Sequence, residues 1–118
     1  MCNKDNGCIF CKIAEKEIKT SIEYEDESII AFNDKNPEAP VHVLIIPREH
    51  IRSVNDLTAS DMKLLGKMAI AAKEIAKKKK VFDSGYRLII NCGKDAGQLI
   101  GHLHMHLLGG RQFGWPPG

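Results

Sequence analysis

The chain has 118 residues, 43% of them hydrophobic and 27% charged, the proportions of one ordinary globular domain. A formal net charge of +2 is too mild to predict nucleic-acid binding. No stretch approaches the roughly 20 apolar residues of a membrane helix, and the polar opening MCNKDNGCIF does not read as a signal peptide. The expected location is the cytoplasm, where Cys2, Cys8, Cys11 and Cys92 stay reduced and metal binding competes with disulfide formation.

In chain order, CIFCKIAEKEIKT mixes apolar and charged residues at helical spacing and predicts a short helix with Ile9, Phe10 and Ile13 inward. SIEYE and SIIAFND follow, separated by Asp26 and Glu27, and read as a hairpin. In NPEAPVHVLIIP the prolines delay a strand that then runs from Val41 to Ile46, with His42 among apolar neighbours. Thr58 and Asp61 form a capping box ahead of the longest helix, which extends to Lys80. Its expected inner face is Met62, Leu65, Met68, Ala69, Ala72, Ile75 and Ala76. The run Lys77 to Lys80 reads as the solvated end of that helix, where cations favour the dipole. YRLIIN is another strand, CGKDAGQ a glycine-bearing loop, and His102 to Leu108 the final strand. This order predicts an α+β fold: an antiparallel sheet of about five strands with one long helix and one short N-terminal helix. All 118 residues form one domain.

The final strand carries His102, His104 and His106, three of the five histidines. At about 3.3 Å per residue on one strand face, they would form a row roughly 13 Å long. Such a row suits a division of labour better than one three-histidine metal centre. Two chemistries compete: a zinc hydrolase using His-x-His with a remote ligand, and covalent catalysis in which an imidazole attacks phosphorus. CIFC places Cys8 and Cys11 at the spacing of a structural zinc site, which His50 and His102 could complete. That would leave His104 and His106 for the reaction. The segment NCGKDAGQ supplies Asn91, Gly97 and Gln98, with glycines that let backbone amides approach an anion.

HLHMHLL matches the signature of the histidine triad superfamily, and LLGGRQFGWPPG resembles the C-terminus of its Hint branch. CIFCKIAEKEI, AFND, APVHVLIIPREHI and GYRLIINCGKDAGQ have counterparts there in the same order. The resemblance implies a homodimer whose two sheets join into one. It implies hydrolysis of purine nucleoside 5′-phosphoramidates to AMP through a nucleotidyl-histidine. By position, His104 is then the nucleophile and His106 contacts the phosphate or leaving group. His42 would hydrogen-bond His104 and fix its tautomer. Asp34 would grip ribose, Phe32 would lie near the base, Asn91 and Gln98 would fall on the phosphate side, and Trp115 would lie in a tail reaching the partner's site. Cys8, Cys11, His50 and His102 match a structural zinc set, with no metal required for the chemical step. Two positions depart from the family pattern: Leu99 where a serine is usual, and Gly101 where an aromatic residue is common. Leu99 keeps alive a nucleotide-binding or regulatory role with weak hydrolysis. Dinucleoside polyphosphate hydrolysis is the rival activity within the superfamily.

Overall fold

Asp26 makes the first reversal of the chain. Its Oδ1 accepts from the backbone N–H groups of Ser28 and Ile29 at 2.7 and 2.9 Å, a side-chain mimic of a backbone turn. This joins β1 (Ile22–Glu25) to β2 (Ile29–Asn33) as the expected hairpin. The computed structural model describes residues 7–118, so Cys2 lies outside the described residues. Before the hairpin stands α1 (Ile9–Ala14); after it come β3 (Val41–Pro47), α2 (Met62–Lys78), β4 (Tyr86–Ile89) and β5 (Met105–Gly109). The strands form one antiparallel sheet in the order β1-β2-β3-β5-β4.

Period-two alternation divides this sheet between two cores. Ile29, Ala31, Val43, Ile45, Met105 and Leu107 face α2, which covers them with Met68, Ala71, Ala72, Ile75 and Ala76. Ile30, Phe32, Leu44 and Ile46 face the other way, under Phe10, Ile13 and Ala14 of α1. Because β2 and β3 are covered on both faces, they read as unbroken apolar runs. Arg48 fastens α1 to the hairpin by donating to the carbonyls of Ala14 and Asp26 at 2.9 and 2.6 Å.

Five expectations change. The capping box at Thr58 and Asp61 is present, but it opens a short 3-10 turn, and α2 proper starts at Met62. Met62 is 74% exposed; at 100° per residue it lies about 120° from Met68 around the helix, off the buried stripe. Ile9 is likewise exposed, and Cys11 and Ala14 take the inward positions beside Phe10 and Ile13. The lysine run is more than a solvated end: Lys78 and Lys79 pair with Glu23 of β1 at 2.7 and 2.6 Å, tying α2 to the sheet edge.

The fifth change concerns the histidines. β5 begins at Met105, three residues later than expected. The backbone N–H of His102 bonds the Ile100 carbonyl, and that of Leu103 bonds Ile51, not β3. His102 and His104 therefore lie on an irregular approach to the strand, and only His106 is within it. The three rings do not form a straight row.

Candidate active site and metal centre

The strand register builds the active-site floor. Phe32 pairs with Leu44, and Leu44 with His106, so one residue from each of β2, β3 and β5 projects from the same face. Above this row α1 closes a cavity of about 410 Å³, within the range of small-molecule sites. Its lining includes Phe32, Asp34, Asn91, Gly97, His104 and His106. Ile9 and Ile13 of α1, with Ile18, Asn33 and Lys35, are among the other wall residues. These wall residues were not anticipated as site residues, and only the apolar spacing of α1 hinted at them.

Gly97 has φ +85°, a backbone conformation that favours glycine. Gln98 does not line this cavity. Its amide holds the loop together, accepting from the Gly93 N–H and donating to the carbonyls of Arg52 and Ile100. Trp115 is 83% exposed and stands apart from the cavity of its own chain. Leu99 is 93% exposed at the cavity rim.

The hydrogen bonds assign the protons of three imidazoles. The backbone N–H of Glu38 donates to His42 Nδ1 at 3.0 Å. An accepting ring nitrogen carries no proton, so the His42 proton is on Nε2. From there it donates to His106 Nδ1 at 2.9 Å, which puts the His106 proton on Nε2, available to the cavity. His104 Nδ1 lies 2.7 Å from the carbonyl oxygen of His102. A carbonyl only accepts, so neutral His104 is protonated on Nδ1 and keeps a lone pair on Nε2. The site thus presents one nucleophilic nitrogen and one N–H donor on rings whose centroids are 5.0 Å apart.

His42 therefore orients His106, while a backbone carbonyl performs for His104 the task expected of His42. Burial lowers the pKa of His42 below its ordinary value, against the pull of Asp34 and Glu38. Burial, together with His104 and His42, brings His106 to about 4. Both rings are neutral at pH 7, so His106 acts as a hydrogen-bond donor and not as a charged acid. The Asp34 carboxylate lies 3.4 Å from His42 Nε2, a long contact to a neutral ring.

Around His102, two residues before His104, a second cluster forms. Cys8 caps the N-terminus of α1, with its sulfur accepting the Cys11 N–H at 3.3 Å. This is ordinary cap geometry with sulfur in place of oxygen, and it explains why a CxxC spacing presents both thiols together. Cys8 Sγ and Cys11 Sγ lie 3.3 and 3.6 Å from His102 Nδ1, and Cys11 Sγ lies 3.1 Å from His50 Nδ1. All four ligand atoms fall within 4.8 Å of one another. A tetrahedral zinc with ordinary bond lengths has sulfur–nitrogen edges of about 3.5 Å, so the donor set fits. His102 Nε2 donates to the Pro47 carbonyl at 2.9 Å, leaving Nδ1 unprotonated toward the sulfurs, the usual outer-shell arrangement of a ligating histidine. Burial lowers His102 to about 4, which keeps the ring neutral and leaves a lone pair on that nitrogen. Phe10 stands edge-on to both His102 and His104 and separates the two clusters.

Asp34, His42 and His106 also bring ligand atoms together. The His42 Nε2 proton sits between the two ring nitrogens that face each other at 2.9 Å, so neither keeps a lone pair for a metal. Hydrogen bonding, not ligation, accounts for that spacing.

Comparison with known proteins agrees with this geometry. Residues 7–113 match the family model described as "Scavenger mRNA decapping enzyme C-term binding". A protein of Synechocystis named "Uncharacterized HIT-like protein" is 48% identical over 110 residues, covering 93% of this chain and 96% of its own length. The chain belongs to the HIT-like (histidine triad) protein family. A "14 kDa zinc-binding protein" of Zea mays is 44% identical to this HIT-like chain over 116 residues, 97% of the chain and 90% of the relative. A solved HIT family hydrolase from Legionella pneumophila superposes with a TM-score of 0.92 at 48% identity, covering 94% of this chain and 99% of that one.

Proposed function

We propose that this chain is a hydrolase of purine nucleoside 5′-phosphoramidates that works through a nucleotidyl-histidine at His104. The observation that carries this reading is the fixed pair of nitrogens: a lone pair on His104 Nε2 beside an N–H on His106 Nε2, in one cavity. Phe32 offers the base an aromatic face, and the Asp34 carboxylate offers ribose hydroxyls an acceptor. Asn91 and the loop at Gly97 lie on the phosphate side.

In the first step His104 Nε2 forms a bond to phosphorus as the phosphorus–nitrogen bond breaks. The departing nitrogen, having taken a proton from solvent, leaves as a neutral amine. His104 becomes a phosphorylated imidazolium whose Nδ1–H stays on the His102 carbonyl. The His106 N–H donates to the phosphoryl oxygens, where charge gathers in the transition state. In the second step water attacks phosphorus, the His104–phosphorus bond breaks, a proton is released, and the monophosphate departs.

Cys8, Cys11, His50 and His102 would hold zinc, which at a closed four-ligand site supplies folding energy and no open position for water. The reading includes a homodimer joined at β4, an edge strand with Leu88 39% exposed. It also includes a cytoplasmic location; no helix among the described residues is long and apolar enough to cross a membrane.

Steady-state hydrolysis of adenosine 5′-phosphoramidate tests the activity, with His104→Ala in parallel. Wild type should turn over, and the variant should lose at least a thousandfold in kcat while still binding AMP. Full activity in His104→Ala would overturn the mechanism. The match to a decapping-enzyme model favours a second reading, hydrolysis of dinucleoside polyphosphates. Faster turnover of a diadenosine polyphosphate than of the phosphoramidate would establish that rival.

A further inference from the structure

The orientation of His106 depends on His42, and that of His42 on a single backbone N–H in the loop between β2 and β3. Something must hold this loop, because Glu38 is exposed and belongs to neither strand. The holder comes from beyond β5. Arg111 donates to the Glu38 carbonyl from Nη2 at 3.1 Å and from Nε at 3.3 Å. One residue earlier Gly110 has φ +91°, and a Cβ placed there would stand 2.8 Å from Pro40 Cβ. The chain leaving β5 therefore presses on both ends of the segment Glu38 to Pro40.

Arg111 is itself held. Its guanidinium lies 4.3 Å over the Phe113 ring, and Arg87 of β4 lies 5.2 Å over the same ring. Arg87 also donates to the Gly114 carbonyl at 2.9 Å. A continuous series of contacts runs from β4, through the segment after β5, to the ring that faces the phosphoryl group.

We propose that Arg111 is a positioning residue: by holding the Glu38 carbonyl it fixes the backbone of that residue, whose own N–H on the preceding peptide sets the tautomer of His42 and through it the His106 N–H that meets the phosphoryl group. Without that hold the Glu38 N–H no longer faces His42 Nδ1, and the His42 proton is free to sit on either nitrogen. When it sits on Nδ1, His42 Nε2 becomes an acceptor and draws the His106 proton onto Nδ1. His106 then presents a lone pair to an anionic phosphoryl oxygen, a repulsive contact. Arg111 touches no substrate atom in this scheme and acts entirely through the loop.

The catalytic part of this inference rests on the proposed hydrolysis; the tautomer part does not. Nitrogen-15 correlation spectra of the imidazoles in the ligand-free protein read the tautomers directly. Wild type should show His42 and His106 both protonated on Nε2, and Arg111→Ala should show mixed tautomers at both. In the same variant kcat for adenosine 5′-phosphoramidate should fall about tenfold, a fraction of the 10² to 10⁴ that a placed proton donor contributes. Affinity for adenosine, which lacks the phosphoryl group, should not change. Added guanidinium should restore part of the kcat, and Arg111→Lys, also the fallback should the alanine variant not fold, should be impaired in the same direction. Unchanged tautomers in either folded variant would overturn the proposal. So would unchanged kcat beside an active wild type. A wild type with the stated tautomers but no turnover would instead overturn the hydrolase reading.

Discussion

At His104 a single atom sets the chemistry. Its Nδ1 proton lies on a carbonyl belonging to His102, so the proposed nucleophile is oriented by the backbone of a residue whose own ring faces two sulfurs. Three neighbouring histidines have three environments, and small differences in hydrogen bonding separate them. Leu99 is the residue whose side chain fits its setting least. It is almost fully exposed at the cavity rim and offers an apolar surface at the position where the family resemblance puts a serine hydroxyl. Leu99→Ser should raise kcat for the phosphoramidate severalfold. Its melting temperature should stay within about 2 °C of wild type, because an exposed substitution changes stability by about 0.5 kcal/mol or less. Lower kcat in that variant would show that leucine contributes an apolar contact to the leaving group.

Among the elements, α1 has the most to lose. It is six residues long, too short to persist alone in water, and it is held by the Arg48 bonds, its apolar contacts and the proposed metal. Metal analysis of protein purified without chelator should give about one zinc per protomer, and Cys11→Ser should abolish it. Removing zinc should lower the melting temperature by about 10 °C, since metal at a hundredfold over its Kd contributes roughly 2.7 kcal/mol. No bound zinc would remove the site.

Elements of strong periodicity were legible before any coordinates: the hairpin at Asp26, the apolar β3 and the body of α2 all follow from pattern. The start of β5 was not, because strict alternation from His102 onward looks like strand whether or not the backbone pairs. What diverts residues 102 and 103 is their bonding to Ile100 and Ile51, which no local pattern records. The metal cluster was legible from spacing plus two remote histidines. The hold on His106 was not, since Glu38 contributes through its peptide and Arg111 is remote in sequence.

Over the whole molecule, buried neutral histidines and paired carboxylates set the response to acid. His106 has a folded pKa of about 4 against an ordinary 6.5. The unfolded chain therefore binds more protons between those values, and stability present above pH 6.5 is lost as pH falls toward 4. His42 shifts in the same direction. Burial raises the Glu23 carboxyl, but Lys78, Lys79 and Asn33 outweigh it and bring the pKa down to about 2 from 4.5. Asp26 reaches about 2 from 3.8, where the bonds from Ser28, Ile29 and Tyr24 overcome the cost of burial. These two stabilise the fold above their unfolded values and cease to do so as pH falls toward 2. Denaturant titrations at pH 7.5, 5 and 3 should show two successive losses, the first from the histidines and the second from the carboxylates. A flat response between pH 7.5 and 5 would contradict the first assignment.

The strand order also dictates a sequence of assembly. β1, β2 and β3 are consecutive neighbours and can pair as they emerge from the ribosome. β4 cannot, because among the described residues of its own chain it pairs with β5 alone, which also completes the edge of β3. A nascent chain thus carries α2 and β4 without a completed sheet until residues 105–109 are made, and pairings between distant segments form slowly. The strand that closes the sheet is also the one that brings in His106, so a truncated or stalled product holds neither a finished core nor a reactive centre.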